Sequence, residues 1–241
     1  MGLGTKIFAG VAVILLVTVL IFGYYGFVPV LSDIMGANTP RDLGVRYSAA
    51  DLASANSKLK VTYTTLPSSA EGSASLVETG SQQINVKLTS EEATALLNDY
   101  ASKWKYYPID KIQVKFNSDN TIELSGVLRV DRWKGFADAI LLPESPRSQV
   151  RPFLTYVKTN PSIYMKGTLS INSPPQVTIS DLDVGRFSIS GDQIDDYLFA
   201  IAEFIEYVVD LFNIHIDALS IYMGLLTIIA IIPTSVALSP P

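Results

Sequence analysis

Carboxylates are the residues of this sequence that occur in groupings suited to acid–base or metal chemistry. They lie close together at Glu91-Glu92, at Asp181 with Asp183, and at Asp192 with Asp195 and Asp196. Two carboxylates can act as general acid and general base, and three can hold calcium. Each group also has a structural explanation, namely a helix cap, the flank of a turn, and the start of a helix. A carboxylate hydrolase, or a calcium site at Asp181, Asp183 and Asp192 without EF-hand spacing, therefore stays an alternative.

Residue counts exclude several other kinds of chemistry. The chain has no cysteine and a single histidine, His215, between two isoleucines. Thiolate nucleophiles, iron–sulfur clusters, zinc–thiolate sites and histidine-rich metal sites are therefore excluded. The formal net charge of −5 argues against nucleic acid as a partner and against electrostatic docking onto anionic lipid. We expect a protein that is not an enzyme and that holds no metal and no cofactor.

An uncharged apolar stretch near the N-terminus predicts a membrane anchor. Residues 7–31 contain the roughly 20 apolar residues that a helix needs to cross a bilayer. The run exceeds the roughly 7–15-residue core of a cleaved signal peptide, and no Ala-x-Ala site follows, so an uncleaved signal-anchor is favoured. Lys6 precedes the run and Asp33 follows it, which places the N-terminus in the cytoplasm. The predicted location is the cell membrane, single-pass, with the bulk of the chain extracytoplasmic.

Two helices behind this stretch carry apolar faces. Thr89 and Glu92 fit a capping box, and the helix that follows places Leu96, Leu97, Tyr100 and Trp104 on one face. A longer amphipathic helix is predicted over 194–212, with a stripe of Ile194, Leu198, Ile201, Ile205 and Val208. Packing against a sheet explains both faces. The same nine residues are also the candidates for the wall of an apolar ligand-binding groove.

The C-terminal segment 218–238 has two interpretations. It is uncharged and long enough for a second transmembrane helix. A buried β-hairpin is favoured, because Met223-Gly224 lies where a turn would fall, residues 225–232 are rich in β-branched side chains, and Pro233 follows them.

The order of these elements resembles a known family. The segments LTSEE (88–92), IELSG (122–126) and VTISDLDVGRFSIS (177–190), the long helix after them and the final hairpin resemble the YpmS-like, membrane-anchored families of the tubular lipid-binding (TULIP) type. The final hairpin departs from that pattern, since Met223-Gly224 stands where Asp-Gly is usual. The resemblance implies a long helix wrapped by a curved antiparallel sheet, with room for acyl chains between them.

These observations combine into one expected organisation. The fold class is α+β, an N-terminal transmembrane helix followed by a curved antiparallel sheet wrapped around a long amphipathic helix. The expected regions are an N-terminus and anchor (1–31), a juxtamembrane linker (32–47) and an extracytoplasmic domain (48–241). The expected function is binding of a lipid or other apolar ligand, with the bilayer as partner. The alternative is an accessory subunit that docks on a membrane-protein partner.

Overall fold

The described residues form an α+β fold with three small sheets. The computed structural model describes residues 14–22, 24–25, 28, 31–144, 147–148, 159–170, 176–189, 207 and 215–241. Its helices are α1 (14–22, with 24–25 also helical), α2 (Leu31–Ile34), α3 (Ala49–Leu59), α4 (Ser90–Lys103) and α5 (Trp133–Ala139). Its strands are β1 (Thr62–Thr65), β2 (Leu76–Thr79), β3 (Gln82–Leu88), β4 (Ile109–Phe116), β5 (Ile122–Leu128), β6 (Ser162–Ser170), β7 (Gln176–Val184), β8 (Phe187–Ile189), β9 (His215–Tyr222), β10 (Leu225–Ile232) and β11 (Ser235–Leu238).

The strands pair over long distances in the sequence. Sheet A has the order β1-β11-β2, sheet B the order β3-β10-β9, and sheet C the order β4-β5-β6-β7-β8. The β1–β11 pair is parallel, and the other pairs are antiparallel. The last strand of the chain therefore lies between the first two and closes sheet A.

The predicted membrane anchor is wrong. Within the described part of the chain, no helix is both long enough and apolar enough to cross a membrane. This finding also overturns the predicted signal-anchor, single-pass topology and cell-membrane location, because all three rested on the anchor.

The predicted core architecture is also wrong. Among the described residues, no long amphipathic helix is wrapped by a curved sheet. Of the helix predicted over 194–212, only Tyr207 is described, so Ile194, Leu198, Ile201, Ile205 and Val208 lie outside the described residues.

The C-terminal segment is a hairpin, and its interpretation as a second transmembrane helix is wrong. β9 and β10 flank a turn at Met223-Gly224, where both residues have positive φ (52° and 75°). This pair of left-handed residues suits a two-residue hairpin turn, and Gly224 adopts it without steric cost.

Helix α4 covers the free edge of sheet C with a polar stripe. Phe116 N donates to Ser90 Oγ at 3.0 Å, and Val114 N donates to Thr94 Oγ1 at 3.0 Å. Thr94 Oγ1 in turn donates to Val114 O at 3.2 Å. One turn on, Asn98 exchanges two hydrogen bonds with the backbone of Ile112 (2.7 and 3.1 Å). The four-residue spacing of Ser90, Thr94 and Asn98 matches the two-residue spacing of outward-facing β4 groups, so the helix takes the place of a neighbouring strand.

The start of α4 is held by an ion pair between the buried carboxylate of Glu92 and the partly exposed ammonium of Lys58. Thr89 and Glu92 form the predicted capping box, and the Glu92 side chain also accepts from Lys58 Nζ (2.5 and 2.6 Å) and from Ser54 Oγ (2.6 Å). Burial alone would raise the pKa of Glu92, but the hydrogen bonds from Lys58, Ser54 and the Thr89 backbone outweigh it and hold the pKa below its usual value. Helix α3 is thereby joined to α4.

Thr94→Val tests the polar stripe. The substitution keeps the side-chain shape and leaves the N–H and C=O of Val114 without their partner inside the protein. We expect the free energy of unfolding to fall by about 2 kcal/mol. Urea denaturation at neutral pH measures it, with Ser102→Ala on the exposed face of the same helix as the control. Equal stability of Thr94→Val and the wild type would show that the hydrogen bonds between α4 and the edge of β4 do not stabilise the fold.

Glu92→Gln tests the ion pair with Lys58. Removing the carboxylate charge should lower the free energy of unfolding at neutral pH by about 1–2 kcal/mol, because the Lys58 ammonium that is left is 35% exposed and stays hydrated. The folded-state pKa of Glu92 lies below the unfolded value of about 4.3, so its stabilisation is present above that pH and lost as the pH falls through the folded-state pKa. The stability difference between wild type and Glu92→Gln should therefore shrink on acidification. A stability difference between wild type and Glu92→Gln that stays constant with pH would contradict the ion pair between Glu92 and Lys58.

Candidate functional site

Aromatic rings from several elements meet beside sheet A. The aromatic cluster consists of Tyr63, Tyr100, Trp104, Tyr107, Trp133 and Phe136. Neighbouring ring centroids lie 5.4 to 6.3 Å apart, with the planes inclined at 44° to 77°. These edge-on and tilted contacts are the favourable arrangement for aromatic pairs. Both tryptophans of the chain belong to this cluster.

The C-terminal end of α4 positions the centre of the cluster. Tyr100 and Trp104 lie four residues apart, so both point to one side of the helix. Trp104 leaves the helix with extended backbone angles (φ −120°, ψ 116°), and a turn closed by Tyr107 N to Trp104 O at 3.1 Å brings Tyr107 back onto both rings. The indole N–H of Trp104 donates to Ser75 Oγ at 3.2 Å, which satisfies the polar atom of a side chain only 2% exposed.

A carboxyl group faces this cluster without an ion pair. Glu78 on β2 and Tyr63 on β1 both register with Val236 of the strand between them, so the three side chains share one face of sheet A. Glu78 is half-buried, and no described residue forms a hydrogen bond or salt bridge with its carboxyl. Burial raises the pKa of Glu78 to about 7. The carboxyl therefore exchanges its proton near neutral pH.

The neighbouring phenols stay protonated. Burial, together with the charges of Asp99 and Glu78, raises the pKa of Tyr63, and burial followed by the same Glu78 charge raises that of Tyr100. Burial raises the pKa of Tyr107 to about 12. The ammonium of Lys103 lies 4.6 Å from the centroid of the Tyr63 ring and pairs with Asp99 at 2.5 Å. The site thus offers rings, neutral hydroxyls and one carboxyl that changes charge near pH 7.

The structure distributes the described candidates of the predicted groove over different contacts. Tyr100 and Trp104 belong to the aromatic cluster. Leu97 packs against the apolar face of sheet C, whereas Leu96 packs against α3 and sheet B. The five candidates from 194–212 lie outside the described residues.

Sequence reasoning missed Glu78 and Tyr63. A usable signal for Glu78 lies in its strand, where Val77 and Thr79 are exposed while Leu76 is buried. Glu78 therefore alternates onto the buried face, and a carboxyl on that face marks a position that needs explanation.

The acidic groups considered for catalysis or calcium have structural partners where they are described. Asp183 accepts from Arg41 at 2.9 Å and from Ser188 at 2.6 Å, and Asp181 accepts from Ser180 at 2.8 Å. Asp192, Asp195 and Asp196 lie outside the described residues. Within the described residues, no group of three or more His, Cys, Asp or Glu side chains is placed to hold a metal ion.

No family model, curated protein or solved structure matches this chain. The resemblance to the YpmS-like families therefore stays a prediction.

The raised pKa of Glu78 predicts a particular pH dependence of stability. The folded-state pKa of about 7 exceeds the unfolded value of about 4.3, so the folded protein binds more protons between these pH values. The Glu78 contribution should therefore reduce stability as the pH rises from about 4.3 to about 7. Glu78→Gln should gain stability relative to wild type over that window, measured by urea denaturation at several pH values. Parallel pH profiles for wild type and variant would contradict the assignment.

Proposed function

We propose that this chain is a non-catalytic binding domain for an apolar ligand that carries one polar group. The ligand lies against the aromatic cluster, and its polar group meets Glu78. The observation that carries the proposal is the half-buried carboxyl of Glu78, which has no ion-pair partner and stands on the face of sheet A that carries Tyr63. The half-buried carboxyl is partly desolvated and has no hydrogen-bond partner among the described residues, so a ligand that supplies one stabilises it.

The chemistry of the surrounding groups supports binding rather than catalysis. The raised pKa values of Tyr63 and Tyr100 keep their hydroxyls neutral at pH 7, so they are hydrogen-bond donors and poor nucleophiles. The partly exposed rings of Tyr63 and Tyr100 supply apolar surface, at about 25 cal/mol for each Å² removed from water, whereas Trp104 is buried beneath them. Aromatic surface with a few polar groups is the usual composition of small-molecule sites.

The charge of Glu78 limits the ligand's polar group. Below about pH 7 the carboxyl is neutral and can donate a hydrogen bond, and above it the carboxylate accepts one. A hydroxyl or an amine satisfies it in either state, whereas a ligand carboxylate would be repelled at alkaline pH. The expected ligand is therefore an apolar molecule that carries one hydroxyl or amine.

Fluorescence titration with the apolar amine N-phenyl-1-naphthylamine tests the proposal. We expect saturable binding that quenches tryptophan emission, because Trp104 and Trp133 both belong to the cluster. Tyr63→Leu removes a cluster ring and should weaken binding about tenfold, in line with about 1.4 kcal/mol for one aromatic contact.

Tyr47→Leu is the matched control, since Tyr47 is 48% exposed and lies outside the cluster. Its probe affinity should equal that of the wild type. Probe binding that is unchanged in Tyr63→Leu, or that leaves tryptophan emission unaltered, would contradict the proposal.

A further inference from the structure

The segment after α2 lies across the polar face of sheet C. On that face, successive strands contribute one transverse row of polar side chains: Gln113, Ser125, Tyr164, Asp183 and Ser188. Ala37 O accepts from both Ser162 N (3.1 Å) and Ser162 Oγ (2.9 Å). Further along, Leu43 N donates to Gln113 Oε1 at 2.9 Å. Residues 37–43 are thus fixed over the row at both ends.

A cavity of about 230 Å³ opens between this segment and the β6–β8 end of the row. By the same measure one enclosed water molecule needs roughly 10–15 Å³, so the cavity has room for a small ligand. Its polar lining comes from Thr39 and Arg41 of the crossing segment, and from Ser162, Asp183, Arg186 and Ser188 of the sheet.

The two guanidinium groups of the cavity are held in place by different contacts. Arg41 stacks over the Tyr164 ring, 3.6 Å from its centroid, and donates one N–H to Asp183 at 2.9 Å. Arg186 donates to the carbonyl oxygen of Met35 and lies 4.6 Å from the centroid of the Tyr24 ring. Each guanidinium has five N–H donors, so most of them remain available.

The charges in the cavity do not cancel. Both carboxylate oxygens of Asp183 are engaged, one by Arg41 and the other by Ser188 Oγ at 2.6 Å. No described carboxylate pairs with Arg186, which leaves a formal charge of about +1 from two arginines and one aspartate. This is a local excess of positive charge on a chain whose net charge is −5.

We propose that this cavity binds a small oxyanion of the phosphate type between Arg41 and Arg186. The planar guanidinium matches an oxyanion with two parallel N–H donors. Stacking and hydrogen bonding already restrict the conformations of both side chains, so binding costs little additional side-chain entropy. The oxyanion can be free phosphate or the phosphate group of an ester, and the two sources share this chemistry.

Calorimetric titration of the full chain with inorganic phosphate, at ionic strength held constant with sodium chloride, tests the proposal. We expect saturable one-to-one binding. Arg186→Gln and Arg41→Gln should each weaken it at least about tenfold, as expected for loss of a charge-assisted hydrogen bond. Arg186→Lys keeps the positive charge but loses the two parallel N–H donors of the guanidinium. Its phosphate affinity should therefore lie between those of the wild type and Arg186→Gln. Arg46→Gln is the control, because Arg46 pairs with Asp42 away from the cavity and should leave the affinity unchanged.

A second readout on the wild-type chain does not depend on the variants folding. Phosphate should shift the backbone amide NMR signals of Thr39, Ser162, Gly185 and Ser188, which line the cavity. Tighter binding of glycerol 3-phosphate than of phosphate would assign the site to a phosphate ester, and the reverse order would assign it to the free ion. Any of three results would overturn the proposal. These are binding heats no larger than those of added chloride, amide shifts confined to residues outside the cavity, and unchanged phosphate affinity in both glutamine variants.

Discussion

The hydrogen bonds between α4 and the edge of β4 are the constraint on which the rest of the structure depends. An edge strand leaves alternate N–H and C=O groups unpaired, and these must find partners. Ser90, Thr94 and Asn98 supply them from one stripe of the helix. Because this stripe fixes the rotation of α4 about its axis, it also fixes where every other face of the helix points.

The remaining faces of α4 then connect the three sheets. Leu97 turns toward sheet C and Leu96 toward sheet B, while Tyr100 and Trp104 reach the aromatic cluster beside sheet A. Glu92 at the start of the helix joins it to α3 through Lys58. One 14-residue helix thus positions the rings of the proposed ligand site relative to the carboxyl of Glu78.

Local features of the fold could be predicted from the sequence, and long-range ones could not. The capping box of α4, the β4–β5 hairpin and the Met223-Gly224 turn depend on residues within a few positions of one another, and the structure has all three. Glu78 meets Tyr63 only because β11, about 160 residues later, inserts between their strands. Arg41 and Asp183 are 142 residues apart, and their pairing has no local signal either.

The most direct test of the central claim is the titration of Glu78 itself. Carbon-13 NMR of the glutamate side-chain carboxyls, assigned by comparison with Glu78→Gln, follows its protonation with and without N-phenyl-1-naphthylamine. We expect a midpoint at about pH 7 in the free protein, and a displaced midpoint when the probe is bound. A midpoint near the ordinary glutamate value of about 4.3, unaffected by the probe, would contradict this expectation.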